Sequence, residues 1–201
     1  MTKQLCFLCF TLLANYPPSV IASTDDMYCT LMESESERCH FQSATSSYSL
    51  AVEGALLREK DNKSIVFKLP KKFYIESVHF KPLANKIIFT FSISDGDSGS
   101  VLISLFDEDK FSFEWQTELF AFNISPALVH NNSIYLGGIG VIAKINLDNG
   151  NIIWHHTGLY ESETQAYNSF ETPRVKDGYI IFTEQKVPDA SYPGIREIQV
   201  L

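Results

Sequence analysis

A strand–turn–strand unit that recurs along the chain and ends on a large aromatic ring constrains the fold more than any other feature. Its clearest copy spans residues 141–154, where the alternating run Val141-Ile142-Ala143-Lys144-Ile145 meets Asp148-Asn149-Gly150 and returns through Ile152-Ile153-Trp154. Asn-Gly between alternating apolar residues is a strong hairpin signal, because both residues tolerate the positive φ of a tight turn. Residues 101–115 follow the same plan and end on Trp115, and residues 55–67 repeat it more weakly and end on Phe67. The three rings fall 48 and 39 residues apart, a period that accommodates four short strands and their turns.

A second marker precedes each unit. Residues 125–136 and 172–182 both read as Ser/Thr-Pro, strand, polar turn, strand, and residues 80–89 form a looser third copy. No stretch of 12 or more residues holds a helical period. Aromatic residues at 13% also suit a pleated, half-buried surface. The expectation is an all-β, antiparallel domain from Ser46 onward, built as four-stranded blades, with a β-sandwich as the alternative.

In order, residues 121–158 read Ser-Pro, strand, turn, Ile-Tyr-Leu-Gly-Gly, strand, Asp-Asn-Gly, strand, Trp. That order resembles the repeat of pyrroloquinoline-quinone (PQQ)-like β-propellers, and the likeness extends more loosely over 74–119 and 169–201. The resemblance implies that Phe67, Trp115 and Trp154 close the outer strands of successive blades and dock against the next. Members usually have seven or eight blades, whereas this length holds about four. The sequence stops in what should be the third strand of its last blade. Either the N-terminal segment supplies the missing outer strand and closes a small ring, or the object is an open partial propeller whose edges a partner or a second copy covers. The small compact form is the expectation. Catalytic members hold quinone through a Ca²⁺ site, an acidic base and often adjacent cysteines. None has a counterpart here, so the resemblance implies the scaffold without cofactor, metal or catalytic residues.

The first residues read as a secretory signal. Lys3 is followed by the apolar run 5–14, too short to span a bilayer, then by Pro17-Pro18 and Val20-Ile21-Ala22. Cleavage is expected after Ala22, giving a signal (1–22), a polar segment (23–45) and a propeller-like domain (46–201). A buried strand or an uncleaved anchor is the alternative for the first segment. Of four cysteines, Cys6 and Cys9 leave with the signal. Cys29 and Cys39 remain as a pair expected to form a disulfide in an oxidising compartment, periplasmic or extracellular.

The net charge of −8 disfavours nucleic acid and anionic lipid, both of which select basic surfaces, and favours a basic protein partner. Gly96-Asp97-Ser98-Gly99 matches the nucleophile loop of trypsin-like proteases, but the chain is too short for the double barrel, and His79 is the only upstream candidate histidine whose sequence setting reads as a strand. The stretch reads instead as a polar hairpin loop. Gly137-Gly138-Ile139-Gly140 lies between two strands and reads as a tight turn rather than a dinucleotide fingerprint. His155 and His156 are adjacent on a strand and face opposite ways, which disfavours a shared metal ion. The aromatic run from Phe111 to Phe122 is expected to face mostly inward.

The function expected from these features is an exported, non-catalytic protein-interaction module, a narrower version being an immunity protein that neutralises a toxin. The alternatives are a small cofactor-binding or hydrolytic enzyme using a propeller funnel, and a truncated propeller relic.

Overall fold

The computed structural model describes residues 27–31, 38–159, 168–185 and 197–200. The expected signal segment 1–22 lies outside them. The described residues form strands and no helix, so none is long and apolar enough to cross a membrane.

After β1 (Met27–Thr30), strands β2 (Arg38–Gln42), β3 (Ser47–Ala51), β4 (Ala55–Arg58) and β5 (Lys63–Val66) make the first sheet. The second contains β6 (Tyr74–Leu83), β7 (Lys86–Ser94), β8 (Gly99–Asp107) and β9 (Ser112–Leu119). The third contains β10 (Phe122–Ile124), β11 (Leu128–His130), β12 (Ser133–Ile139), β13 (Val141–Asn146) and β14 (Ile152–Thr157). The fourth contains β15 (Arg174–Lys176), β16 (Tyr179–Thr183) and β17 (Glu197–Val200). Every pairing is antiparallel between chain neighbours, with two exceptions: β1 pairs with the free edge of β6, and β10 lies beside β12.

Period-2 alternation explains how the sheets stack. On β7, Ile87, Phe89, Phe91 and Ile93 face the first sheet, while Ile88 faces the third. The middle strands of the second sheet are therefore buried on both faces and read as near-continuous apolar runs. Its seam with the first sheet is aromatic: the Phe41 and Phe80 rings lie 4.1 Å apart, and those of Phe67 and Phe91 4.4 Å. A second seam joins Val101, Ile103 and Leu105 to Ile134, Leu136 and Ala143. A third joins Tyr135 and Ile142 to Ile180 and Phe182. Four sheets thus stack in chain order through three apolar seams, a propeller-like arrangement. Among the described residues, no core cluster joins the fourth sheet to the first.

The N-terminal segment departs from expectation in two ways. Among the described residues it supplies no strand to the last blade: β1 pairs with β6, and β17 pairs only with β16. The boundary expected between residues 45 and 46 falls inside the β2–β3 hairpin, so β2 belongs to the first sheet. Cys29 on β1 and Cys39 on β2 are joined by a disulfide with Cα atoms 6.2 Å apart, tying the second sheet to the first. Gly137 and Gly138 also differ from the expected turn, since both lie within β12 and only Gly140 turns, at φ 70°. A Cβ at Gly138 would stand 2.6 Å from the Asn123 carbonyl oxygen, so the absent side chain is what lets β10 approach β12.

Phe67 follows the outer strand of the first sheet and is buried among Phe89, Phe91 and Phe113 of the second. Trp115 and Trp154 occupy matching positions on the outer strands β9 and β14. Each stands just past a β-bulge, Trp115 opposite Leu105 and Trp154 opposite Lys144. Trp115 Nε1 donates to the Leu147 carbonyl of the third sheet at 2.9 Å. The Trp154 ring lies 6.2 Å from Phe182 of the fourth.

Candidate functional site

One end of the stack gathers features that packing does not account for, and β10 is its centre. Simple alternation would send Phe120 and Phe122 to one face and Ala121 and Asn123 to the other. A register shift intervenes instead: Phe122 stands opposite Ile139 and Ile124 opposite Gly138, with Asn123 bulged out at φ 34°. Ala121 and Ile124 are consequently both buried and anchor the segment in the second seam. Phe120 is left 70% exposed and Phe122 42%, their ring centroids 5.9 Å apart. The inward expectation for the aromatic run therefore holds for Phe111, Phe113 and Trp115, which pack against the cores, and fails at these two rings.

A cavity lies on each side of β10, and Asn123 lines both. The first, about 230 Å³, is walled by Tyr28 and His79 of the second sheet, by Ser125 just after β10, and by Ser169 and Gln185, which lie before β15 and after β16. Tyr28 sits there because β1 pairs with β6, which brings its ring to 4.7 Å from His79. Ser125 Oγ donates to the Gly137 carbonyl at 2.7 Å, and Ser169 Oγ to Gln185 Oε1 at 3.1 Å. Among the described residues, no Asp, Glu, Lys or Arg lines this cavity.

The second cavity, about 210 Å³, lies between β10 and the β7–β8 hairpin and is walled by Glu76, Ser92, Ser94, Asp97 and Phe122. Its loop is held by Asp95, whose Oδ1 accepts the backbone N–H groups of Asp97 and Ser98 and the Ser98 hydroxyl. These donors hold the Asp95 carboxyl below its ordinary range. Ser98 of the Gly-Asp-Ser-Gly motif thus donates to an aspartate, and His79 lines the other cavity. Among the described residues, no group of three His, Cys, Asp or Glu could hold a metal ion.

Cys29 and Cys39 line neither cavity, though Cys29 adjoins Tyr28 of the first, and Phe67, Trp115 and Trp154 lie in the seams away from both. Sequence reasoning missed Glu76, Ser92 and Asn123. A signal for Ser92 was present: Thr90, Ser92 and Ser94 place hydroxyls on one face of an otherwise apolar strand. Glu76 and Asn123 are bulge residues, which only pairing reveals.

No protein-family model matches the sequence, and no curated protein matches it. In fold, the chain is weakly similar to the crystal structure of BamB from Moraxella catarrhalis, with 8% identity over 72% of this chain and 66% of that one and a TM-score of 0.33. The chain thus spans just under two thirds of that structure.

Proposed function

We propose that this chain is an exported, non-catalytic protein-interaction module whose contact surface is the β10 end of the stack. The observation that carries the reading is the exposed pair Phe120 and Phe122, just before and at the start of the short bulged strand β10, held by the buried anchors Ala121 and Ile124. Exposed aromatic rings on a rigid element are the usual energetic anchors of protein interfaces, because they bury large areas at small entropic cost. Serine, asparagine and glutamine side chains around them supply a polar rim. The Cys29–Cys39 disulfide supports an oxidising compartment. The charge of −8 supports a basic partner. Neutralisation of a basic exported toxin is the narrow form of the same reading.

The test is capture of a stoichiometric partner from the extracytoplasmic fraction of the source cell with tagged wild-type chain and with the Phe120→Ala, Phe122→Ala double variant. Wild type is expected to retain a partner that the double variant loses and that a Val66→Ser control, altered at the exposed edge of the first sheet, keeps. Capture of nothing by wild type, or equal capture by all three, would count against the proposal.

A further inference from the structure

The second cavity differs from its neighbour in charge. Glu76 and Asp97 line it, and among the described residues neither carboxylate has a Lys, Arg or His within ion-pair distance. Glu76 is the extra residue of a bulge in β6: Ile75 stands opposite Ile93 and Ser77 opposite Ser92, leaving Glu76 unmatched. A bulge re-aims the side chain it carries.

Ser92 is an independent pointer. It is only 5% exposed, and its buried Oγ has no hydrogen-bond partner among the described residues. It stands opposite Val101, which packs with Ala121 in the second seam, so its side chain lies on the face that meets β10 and the cavity. A buried hydroxyl without a partner is costly and calls for a donor or acceptor from outside the chain.

We infer that this cavity receives an arginine side chain of a basic protein partner, an assignment that rests on the interaction surface proposed above. The volume of about 210 Å³ is below the ~300–1,000 Å³ of small-molecule sites and suits one side chain. A guanidinium brings five N–H donors in a plane and no acceptor, matching a wall of two unpaired carboxylates and serine hydroxyls. Its flat face stacks on an aromatic ring, which Phe122 presents in the same wall. A calcium ion needs about six to eight oxygen ligands, and Asp95 is already engaged by its own loop.

The experiment titrates the full chain, disulfide intact, with N-acetyl-arginine amide, N-acetyl-lysine amide and the uncharged isostere N-acetyl-citrulline amide, following backbone amides by NMR. Saturable shifts at Ser92, Asp97 and Gly99 are expected with the arginine probe, at an affinity about tenfold or more above that of citrulline. Added salt should weaken the binding. Glu76→Gln and Asp97→Asn should each weaken it severalfold with unchanged melting temperature, and Ser92→Ala should weaken it less. No saturable shift at these residues, equal binding of citrulline, or tighter binding of lysine would overturn the assignment. If it fails while partner capture still depends on Phe120 and Phe122, the arginine pocket falls and the interaction surface stands. If wild type captures no partner, the surface itself falls.

Discussion

The indole of Trp115 lies against Gly150 so closely that a Cβ at Gly150 would stand 2.6 Å from both Cδ2 and Cε3 of the ring. The contact crosses the second seam, from the outer strand of the second sheet to the β13–β14 turn of the third. It is fixed by Trp115 Nε1 donating to the Leu147 carbonyl and Thr117 Oγ1 to the Gly150 carbonyl, at 2.9 and 2.6 Å. Gly150 also turns at φ +72°. The residue that allows the hairpin to turn is therefore the residue that allows the neighbouring sheet to dock.

Gly150→Ala combines a strained φ with overpacking against the indole. It is expected to destabilise the chain by about 1–3 kcal/mol. Urea denaturation followed by tryptophan emission measures this, and a change below about 0.5 kcal/mol, the range of ordinary surface substitutions, would contradict it.

Trp154 occupies the matching position on β14 and packs near Tyr135 and Phe182. Trp154→Ala is expected to speed amide exchange at Ile180 and Phe182 while leaving Phe89 and Phe91 protected, because the third seam opens separately from the first. Uniform loss of protection across all sheets would show that the seams do not behave as separate units.

A buried polar clamp spans the first seam. Glu108, in the β8–β9 turn, accepts from the hydroxyls of Ser43, Thr45 and Tyr48, and its carbonyl accepts from Arg58. Burial, followed by the bond to Glu108, pushes the Tyr48 phenol up from 10.0 to about 12. The neutral phenol is thus favoured in the folded state. Its contribution is complete below pH 10 and is lost as pH rises toward 12. Two units correspond to at most about 3 kcal/mol. Stability measured against pH should fall more steeply through this window in wild type than in Tyr48→Phe. Parallel curves would remove Tyr48 as the cause.

The Cys29–Cys39 bridge closes a separation of 10 residues between two sheets. The Cys29→Ser, Cys39→Ser double variant is expected to lose about 2–3 kcal/mol on the chain-entropy account. Exchange should rise first at residues 28–30, whose strand pairs among the described residues with β6 alone and is tied by the bridge. A thermal midpoint that does not move would show that β1 is held without the bridge.

Phe120→Ala and Phe122→Ala remove exposed rings and should change stability by less than about 0.5 kcal/mol each. Gly99→Leu is the complementary probe, since a Cβ there would stand 3.0 Å from Phe122 Cδ1. It should displace the ring and weaken partner capture while the seams stay intact. Capture equal to wild type would separate Phe122 from the contact surface.

The sequence alone determined the strands and most of their hairpins. Alternation on 141–145 and 101–105, and turns at Asp148-Asn149-Gly150 and Asn131-Asn132, are local signals, because side-chain period and turn dihedrals depend only on residues a few positions apart. The pairing of β1 with β6, the bulges at Glu76 and Asn123, and the meeting of Tyr28 with His79 were decided by tertiary structure. They arise between segments far apart in the chain, where several registers satisfy the same alternation and the packing of whole sheets selects one. The surface at β10 exists because that selection turned Phe122 outward while burying Ile124, two residues on.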